Sequence, residues 1–86
     1  MKIESKINAC FIVLNNYATA LNNAKDANTH YVLWDKMVDY LQSIKEVLNS
    51  DKYVIERDIS AYGYFVPYSI TYYKDDKKVI TFEFQD

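Results

Sequence analysis

The stretch from Thr29 to Asn49, THYVLWDKMVDYLQSIKEVLN, constrains the fold more than any other part of the chain. At helical spacing His30, Trp34, Met37, Leu41, Ile44 and Leu48 fall on one line. Leu33, Tyr40 and Val47 flank that line on one side, and Tyr31 and Val38 on the other. Asp35, Lys36, Asp39, Gln42, Ser43, Glu46 and Asn49 fill the rest of the circumference, with Val32 as the apolar exception. This arc is wider than the stripe of an ordinary surface helix. It needs cover from two directions, which predicts a preceding helix on one flank and a β-sheet on the other.

The preceding segment supplies that helix. Ile3, Ile7, Cys10, Leu14, Tyr17, Leu21 and Ala24 recur at alternating steps of four and three, a coiled-coil-like seam. Phe11 and Ala18 widen the seam on one side, Val13 and Ala20 on the other, and Ile12 points away from it. The spacing predicts a helix over Ile3 to Ala24. Lys25-Asp26-Ala27-Asn28 breaks the pattern, and Asn28 or Thr29 is the expected N-cap of the second helix. A connection this short makes the pair an antiparallel αα-hairpin.

After Asn49-Ser50-Asp51 the period changes to two. Tyr53, Ile55 and Ile59 alternate with Val54, Glu56 and Asp58, predicting a strand over Lys52 to Ile59 in which Arg57 interrupts the apolar face. Ser60-Ala61-Tyr62-Gly63 reads as a turn around the only glycine. Pro67 cannot donate to a ladder, so the second strand is expected to start near Tyr68, or Pro67 sits at an edge or bulge. Setting Tyr72 opposite Ile80, Ile70 opposite Phe82 and Tyr68 opposite Phe84 keeps each pair on one face. That register needs an odd loop, Asp75-Asp76-Lys77, because a plain two-residue turn would oppose an apolar face to a polar one. The expected fold class is α+β: an antiparallel αα-hairpin (residues 3–49) packed on a three-stranded antiparallel β-meander (residues 52–85), in one domain spanning 1–86.

Composition sets limits on function. Lys and Arg number 10 against 12 Asp and Glu, a net charge of −2. That balance argues against non-specific nucleic-acid binding, and no sequence-specific nucleic-acid contact is expected. Residues 51–86 carry five basic and seven acidic side chains and so hold the whole net charge. One cysteine forms no internal disulfide, and the five-residue apolar run Cys10 to Leu14 is neither a signal peptide nor a membrane span. The expectation is a non-membrane protein in the cytoplasm of a bacterial cell. Nine of the ten basic residues are Lys, and Asn, Ile and Tyr are abundant, a bias of AT-rich genomes and their phages.

Little in the sequence could carry chemistry. His30, the only histidine, has no acid or cysteine at ligand spacing and reads as a polar end residue. Cys10 lies amid the first seam with apolar neighbours and reads as a small buried hydrophobe. Asp35 and Asp39 repel each other on a solvated face. Gly63 stands alone, so no phosphate-cradling loop exists. The expectation is a non-enzymatic chain with no cofactor and no metal.

Tyrosine stands out instead. Tyr53, Tyr62, Tyr64, Phe65, Tyr68, Tyr72 and Tyr73 all fall between residues 53 and 73. Strand propensity explains part of this, with Tyr68 and Tyr72 assigned to the inner face of the sheet. Tyr62 and Tyr64 at the turn, with Tyr73 and Thr71 on the outer face, are the expected protein contact, rimmed by Glu56, Asp58, Asp75 and Asp76. In size, acidity and lack of chemistry the chain resembles phage and mobile-element proteins that block host defence, such as anti-CRISPR inhibitors. The resemblance is one of character, and no motif carries it. It implies steric occlusion of a larger host protein or protein–nucleic-acid complex through a Tyr-rich, mildly acidic sheet face. An immunity or antitoxin protein facing a cognate toxin is the alternative, as is a homo-oligomer joined through the two helical seams.

Overall fold

A computed structural model describes residues 3–84 of the chain. The order is α1 (Ile3–Asn22), α2 (Ala27–Val47), β1 (Lys52–Ile59), β2 (Phe65–Lys74) and β3 (Lys77–Glu83). The strands form one antiparallel sheet in the order β1-β2-β3. This is the α-α-β-β-β, α+β arrangement that the change of period predicts. Gln85, the predicted last residue of the meander, lies outside the described residues.

Both helices take their ends from side-chain and backbone hydrogen bonds. α1 stops two residues before Ala24, where the Asn23 side chain donates to the Thr19 carbonyl at 3.1 Å. Ala24 still keeps its place in the seam and is buried. The N-cap of α2 is Asp26, not Asn28 or Thr29. Asp26 is extended, and its carboxylate accepts both the Thr29 N–H at 2.8 Å and the Thr29 hydroxyl at 2.9 Å. Asn28 and Thr29 belong to the first helical turn. At the other end Asn49 takes φ +53, so that its N–H reaches Glu46 O and the Ser50 N–H reaches Lys45 O.

The core is Leu14, Leu21, Met37, Leu41, Ile44, Ile70, Tyr72 and Phe82. It lies where the α2 line meets α1 and the inner face of the sheet. Phe11 of α1 stacks 6.5 Å from Phe82 and 6.0 Å from Phe84. Tyr17 and Tyr40 meet between the helices at 6.4 Å. Burial pushes the Tyr40 hydroxyl up to about 12, and the neighbouring Cys10 thiol adds to the effect. The wide arc of α2 is covered unevenly: Leu33 and Tyr40 on its flanks pack against the core, while Tyr31 and Val47 are exposed, as is Val32 on the polar side. Ile12, which points away from the α1 seam, is exposed as well.

Two bulges set the sheet. Tyr72 pairs with Ile80 and Ile70 with Phe82, the expected register. The loop between them is nevertheless a two-residue turn, Asp75-Asp76, not a three-residue one. Both residues have positive φ, +51 and +63, as a type I′ turn requires. Val79 is inserted as an extra residue in β3, and that bulge restores the matching of apolar faces. A second bulge falls between Glu56 and Arg57, opposite Tyr68. Consequently β2 begins at Phe65, carries Pro67 beside the bulge, and releases Tyr68 from the inner face. Tyr68 was expected inside; instead its ring is exposed and its hydroxyl donates to Glu56 Oε2 at 2.9 Å. The pairing with Phe84 survives only in the backbone, as a 3.0 Å bond from Phe84 N–H to Tyr68 O.

Candidate protein-binding surface

The residues expected to form one contact surface fall at two ends of the sheet. Tyr62 and Tyr64 lie in the β1–β2 turn, close to the start of α2. Tyr73, Asp75 and Asp76 lie at the β2–β3 turn, nine or more residues along from Tyr64.

At the β2–β3 end, Tyr73, Thr71 and Asp76 make side-chain contacts within the fold, and Asp75 is tied through its backbone. Lys52 bonds Asp76 at 3.1 Å and lies 5.5 Å above the Tyr73 ring. The Asp75 N–H donates to Asp51 Oδ2 at 2.9 Å. Thr71 is only 8% exposed and shares a 3.0 Å hydrogen bond with Thr81, so it offers little contact area. Nor is the outer face uniformly acidic. The register sets Lys52, Tyr73 and Lys78 in one row, and Glu56, Ser69 and Glu83 in another. The charge therefore grades along the strands from basic to acidic. Glu56 accepts from Tyr68, and Asp58 Oδ1 accepts the Ile59 N–H at 2.8 Å.

The β1–β2 end is built differently. Ser60 is buried and its Oγ accepts the Tyr62 and Tyr64 N–H groups, while Gly63 supplies the φ of +88 that closes the turn. This fixes Tyr64 against α2. Its ring stacks on His30 at 5.3 Å, and His30 stacks on Trp34 at 5.6 Å. Arg57 follows, with its guanidinium 6.0 Å from the Trp34 ring and 5.2 Å from the Phe65 ring. The result is one column: Tyr64, His30, Trp34, Arg57, Phe65. His30 Nε2 lies 2.9 Å from Phe65 O. A carbonyl only accepts, so Nε2 carries the proton and ties α2 to the first residue of β2.

At this end Ile59, Tyr62 and the column's own Phe65 are about half exposed, at 54%, 48% and 48%. Lys25, from the α1–α2 connection, lies 5.8 Å above the Tyr62 ring. An open groove of about 800 Å³ adjoins Arg57 and is lined also by Asp58, Asn22, Ile59, Ser60, Tyr68 and Phe84, so that it carries one charge of each sign.

His30, Trp34, Arg57 and Phe65 were not among the expected contact residues. Two signals pointed to them. Arg57 breaks an otherwise apolar alternation, and His30 shares the helical line of Trp34. The long-range contact that joins them to Tyr64 has no signature in local spacing.

Among the described residues no group of three or more His, Cys, Asp or Glu side chains is placed to hold a metal, and no helix is long and apolar enough to cross a membrane. The chain matches no protein-family model, and no curated protein or solved structure shows significant similarity to it.

Proposed function

We propose that this chain is a small non-enzymatic binder, an inhibitor from a phage or mobile element that acts by covering a surface of a larger host protein. Its contact surface is the aromatic end formed by the β1–β2 turn, the tip of β1 and the start of α2. The observation that supports this reading is the exposure of Phe65 at the end of the stacked column and of Ile59 and Tyr62 beside it. Stiff aromatic side chains lose little conformational freedom when a partner covers them, so their burial is converted into affinity with small entropic loss. Trp, Tyr and Arg are also the residue types that most often dominate binding energy at interfaces. Within the contact set read from the sequence, Tyr62 and Tyr64 are retained. Tyr73, Thr71, Asp75 and Asp76 become parts of the sheet and its turn.

The test is affinity capture from bacterial lysate with mass spectrometry, run in parallel with the Tyr62→Ala, Phe65→Ala double variant and with Tyr73→Ala. A partner retained by the wild type and by Tyr73→Ala but lost by the double variant is the expected result. Capture that survives the double variant and fails with Tyr73→Ala would move the contact to the outer face.

A further inference from the structure

We infer that two copies of this chain pair through the free edge of β1, about a twofold axis at Val54, and join their sheets into one.

β1 and β3 are the two edges of the sheet, and among the described residues neither is paired on its far side. They are not equivalent. β3 carries the inserted Val79 and begins Lys77-Lys78, and bulges and lysines are devices that keep an edge strand from pairing. β1 runs 8 residues without an insertion of its own, since the extra residue of the second bulge, Tyr68, belongs to β2. An antiparallel ladder alternates, which fixes the outward groups. The Phe84 N–H bonds Tyr68 O, so the backbone of Ile70 faces β3 while Ser69 and Thr71 face β1. Opposite them Val54 and Glu56 face β2, and Tyr53 and Ile55 present their N–H and C=O groups to the open edge.

An axis at Val54 sets Tyr53 of each copy opposite Ile55 of the other, where both hydrogen bonds are exchanged and both side chains point to the inner face. Val54, 46% exposed, meets its own copy on the outer face. Lys52 falls opposite Glu56, Asp51 opposite Arg57, and Asp58 opposite the neutral Ser50. The charged groups of the first two pairs also have contacts within their own chain. Lys52 holds Asp76, one oxygen of Glu56 accepts from Tyr68, one oxygen of Asp51 accepts the Asp75 N–H, and Arg57 rests on ring faces. Each contact leaves an oxygen or an N–H free. The graded charge of the outer face then has a counterpart: the basic row Lys52, Tyr73, Lys78 of one copy runs on into the acidic row Glu56, Ser69, Glu83 of the other. An axis at Ile55 would instead oppose Val54 to Glu56.

α2 obeys the same axis. Trp34 lies against Arg57, and the Gln42 side chain bonds the Tyr53 hydroxyl at 3.4 Å. Trp34 to Gln42 along the helix and Arg57 to Tyr53 along the strand each span roughly 12–13 Å, so the two elements run in step. The level of Val54 therefore falls midway between Asp35 and Lys45. Tyr40 faces α1 through Tyr17 while Trp34 faces β1, so the flank of α2 beyond β1 carries Tyr31, Val38, Asp35 and Lys45. Tyr31 is 70% exposed and Val38 half-buried. The axis brings this flank to its own copy, with Val38 near the centre and Asp35 level with Lys45 on both sides. Asp39 and Glu46 lie further round the helix. The dimer thereby covers the Tyr31 side of the apolar arc, which a single chain leaves open.

Sedimentation equilibrium of the full chain over a concentration series should show the mass rising from one chain to two. Val54→Lys, which sets like charges on the axis, should weaken the association about tenfold or more. Asp35→Lys and Lys45→Asp should each weaken it by a smaller factor, and the double variant should recover it. The two residues are too far apart along α2 to meet within one chain, so recovery reports a contact between copies. Amide exchange at the highest concentration should protect Tyr53 and Ile55, and Val54→Lys should remove that protection while Glu56 stays protected. Ile12→Lys, on the exposed face of α1, and Val79→Lys, on β3, should leave the mass unchanged. Circular dichroism checks each variant; should Val54→Lys fail to fold, recovery in the double variant decides. A single chain at every concentration overturns the proposal. So does association unchanged in Val54→Lys or, where the double variant decides, not recovered in it. Loss of the dimer in Ile12→Lys or Val79→Lys would move the contact to the helices or to β3 and overturn it as well.

Discussion

Tyr72 donates its phenolic hydroxyl to the carbonyl oxygen of Leu41 at 2.8 Å, and both side chains are fully buried. This bond joins the central strand to the middle of α2. It also explains how a tyrosine can serve as the largest fully buried side chain, since its one polar atom is satisfied. The ring is enclosed by Tyr53 at 5.5 Å and Phe82 at 6.1 Å. Replacing Tyr72 by Phe removes the hydrogen bond alone and should cost about 1 kcal/mol. Replacing it by Ala opens a cavity beneath both helices and should cost roughly 3–5 kcal/mol. Urea unfolding measures both. Equal losses for the two variants would mean that the ring contributes little and the packing described is wrong.

The same burial predicts how the protein responds to alkali. Tyr72 and Tyr40 both have folded-state pKa values raised above the ordinary 10.0, mainly by desolvation, with Tyr40 at about 12. A raised value means that the folded state holds the proton more tightly than the unfolded state. The stability linked to that proton is complete below pH 10 and is lost as the pH climbs through the folded-state value. Thermal melts should therefore hold their midpoint up to about pH 10 and decline towards pH 12. Tyr40→Phe should flatten that decline in part. A midpoint independent of pH across this window would contradict the burial of these hydroxyls.

The α2 cap gives the opposite sign at the acid end. Two hydrogen bonds from Thr29 lower the Asp26 pKa in the folded state, backbone first and hydroxyl second. The stabilisation it brings is present above the unfolded aspartate value of about 3.9 and disappears as the pH falls through the lower, folded-state value. Asp26→Ala should lower the melting temperature at pH 7, and the difference from wild type should shrink near pH 2. Asp26→Asn, which keeps an acceptor, should retain most of the stability and lose the pH dependence. Because Asp26 is exposed, the whole effect is modest, and a large loss for Asp26→Ala would point to a contact beyond the cap.

Most of the backbone arrangement was legible because period and burial coincide. The change from helical to alternating spacing at Asn49 located the junction of helices and sheet, and one-face matching found Tyr72 opposite Ile80 before any geometry. Bulges were what spacing alone could not place. An inserted residue such as Val79 or Tyr68 shifts the alternation without leaving a compositional mark, so a two-residue turn looked incompatible with the register. The cap was misplaced for a related reason. Asp26, Asn28 and Thr29 can all act as caps, and the choice depends on where the chain leaves α1. At the aromatic end Tyr62 and Tyr64 were legible as turn residues, but their neighbours in space come from residues 30, 34 and 57.

His30 offers the most direct check on how that end is held. It contributes two separable things: a ring between Tyr64 and Trp34, and a hydrogen bond to Phe65 O. His30→Phe keeps a ring and loses the bond; His30→Ala loses both. The expected order of stability is wild type, then Phe, then Ala, with the first step about 1 kcal/mol. A double-mutant cycle between His30→Ala and Tyr64→Ala isolates the stack, for which a coupling of roughly 0.5–1.5 kcal/mol is expected. Amide exchange supplies the spatial readout: in His30→Ala, protection should fall at the Ser60 and Gly63 amides, which close the β1–β2 turn, and stay intact at the Asp51 amide, which bonds Tyr73 O beside the other end of β2. A coupling near zero, with protection unchanged at the turn, would mean that the column is a chance alignment of rings and not the brace that orients the aromatic end.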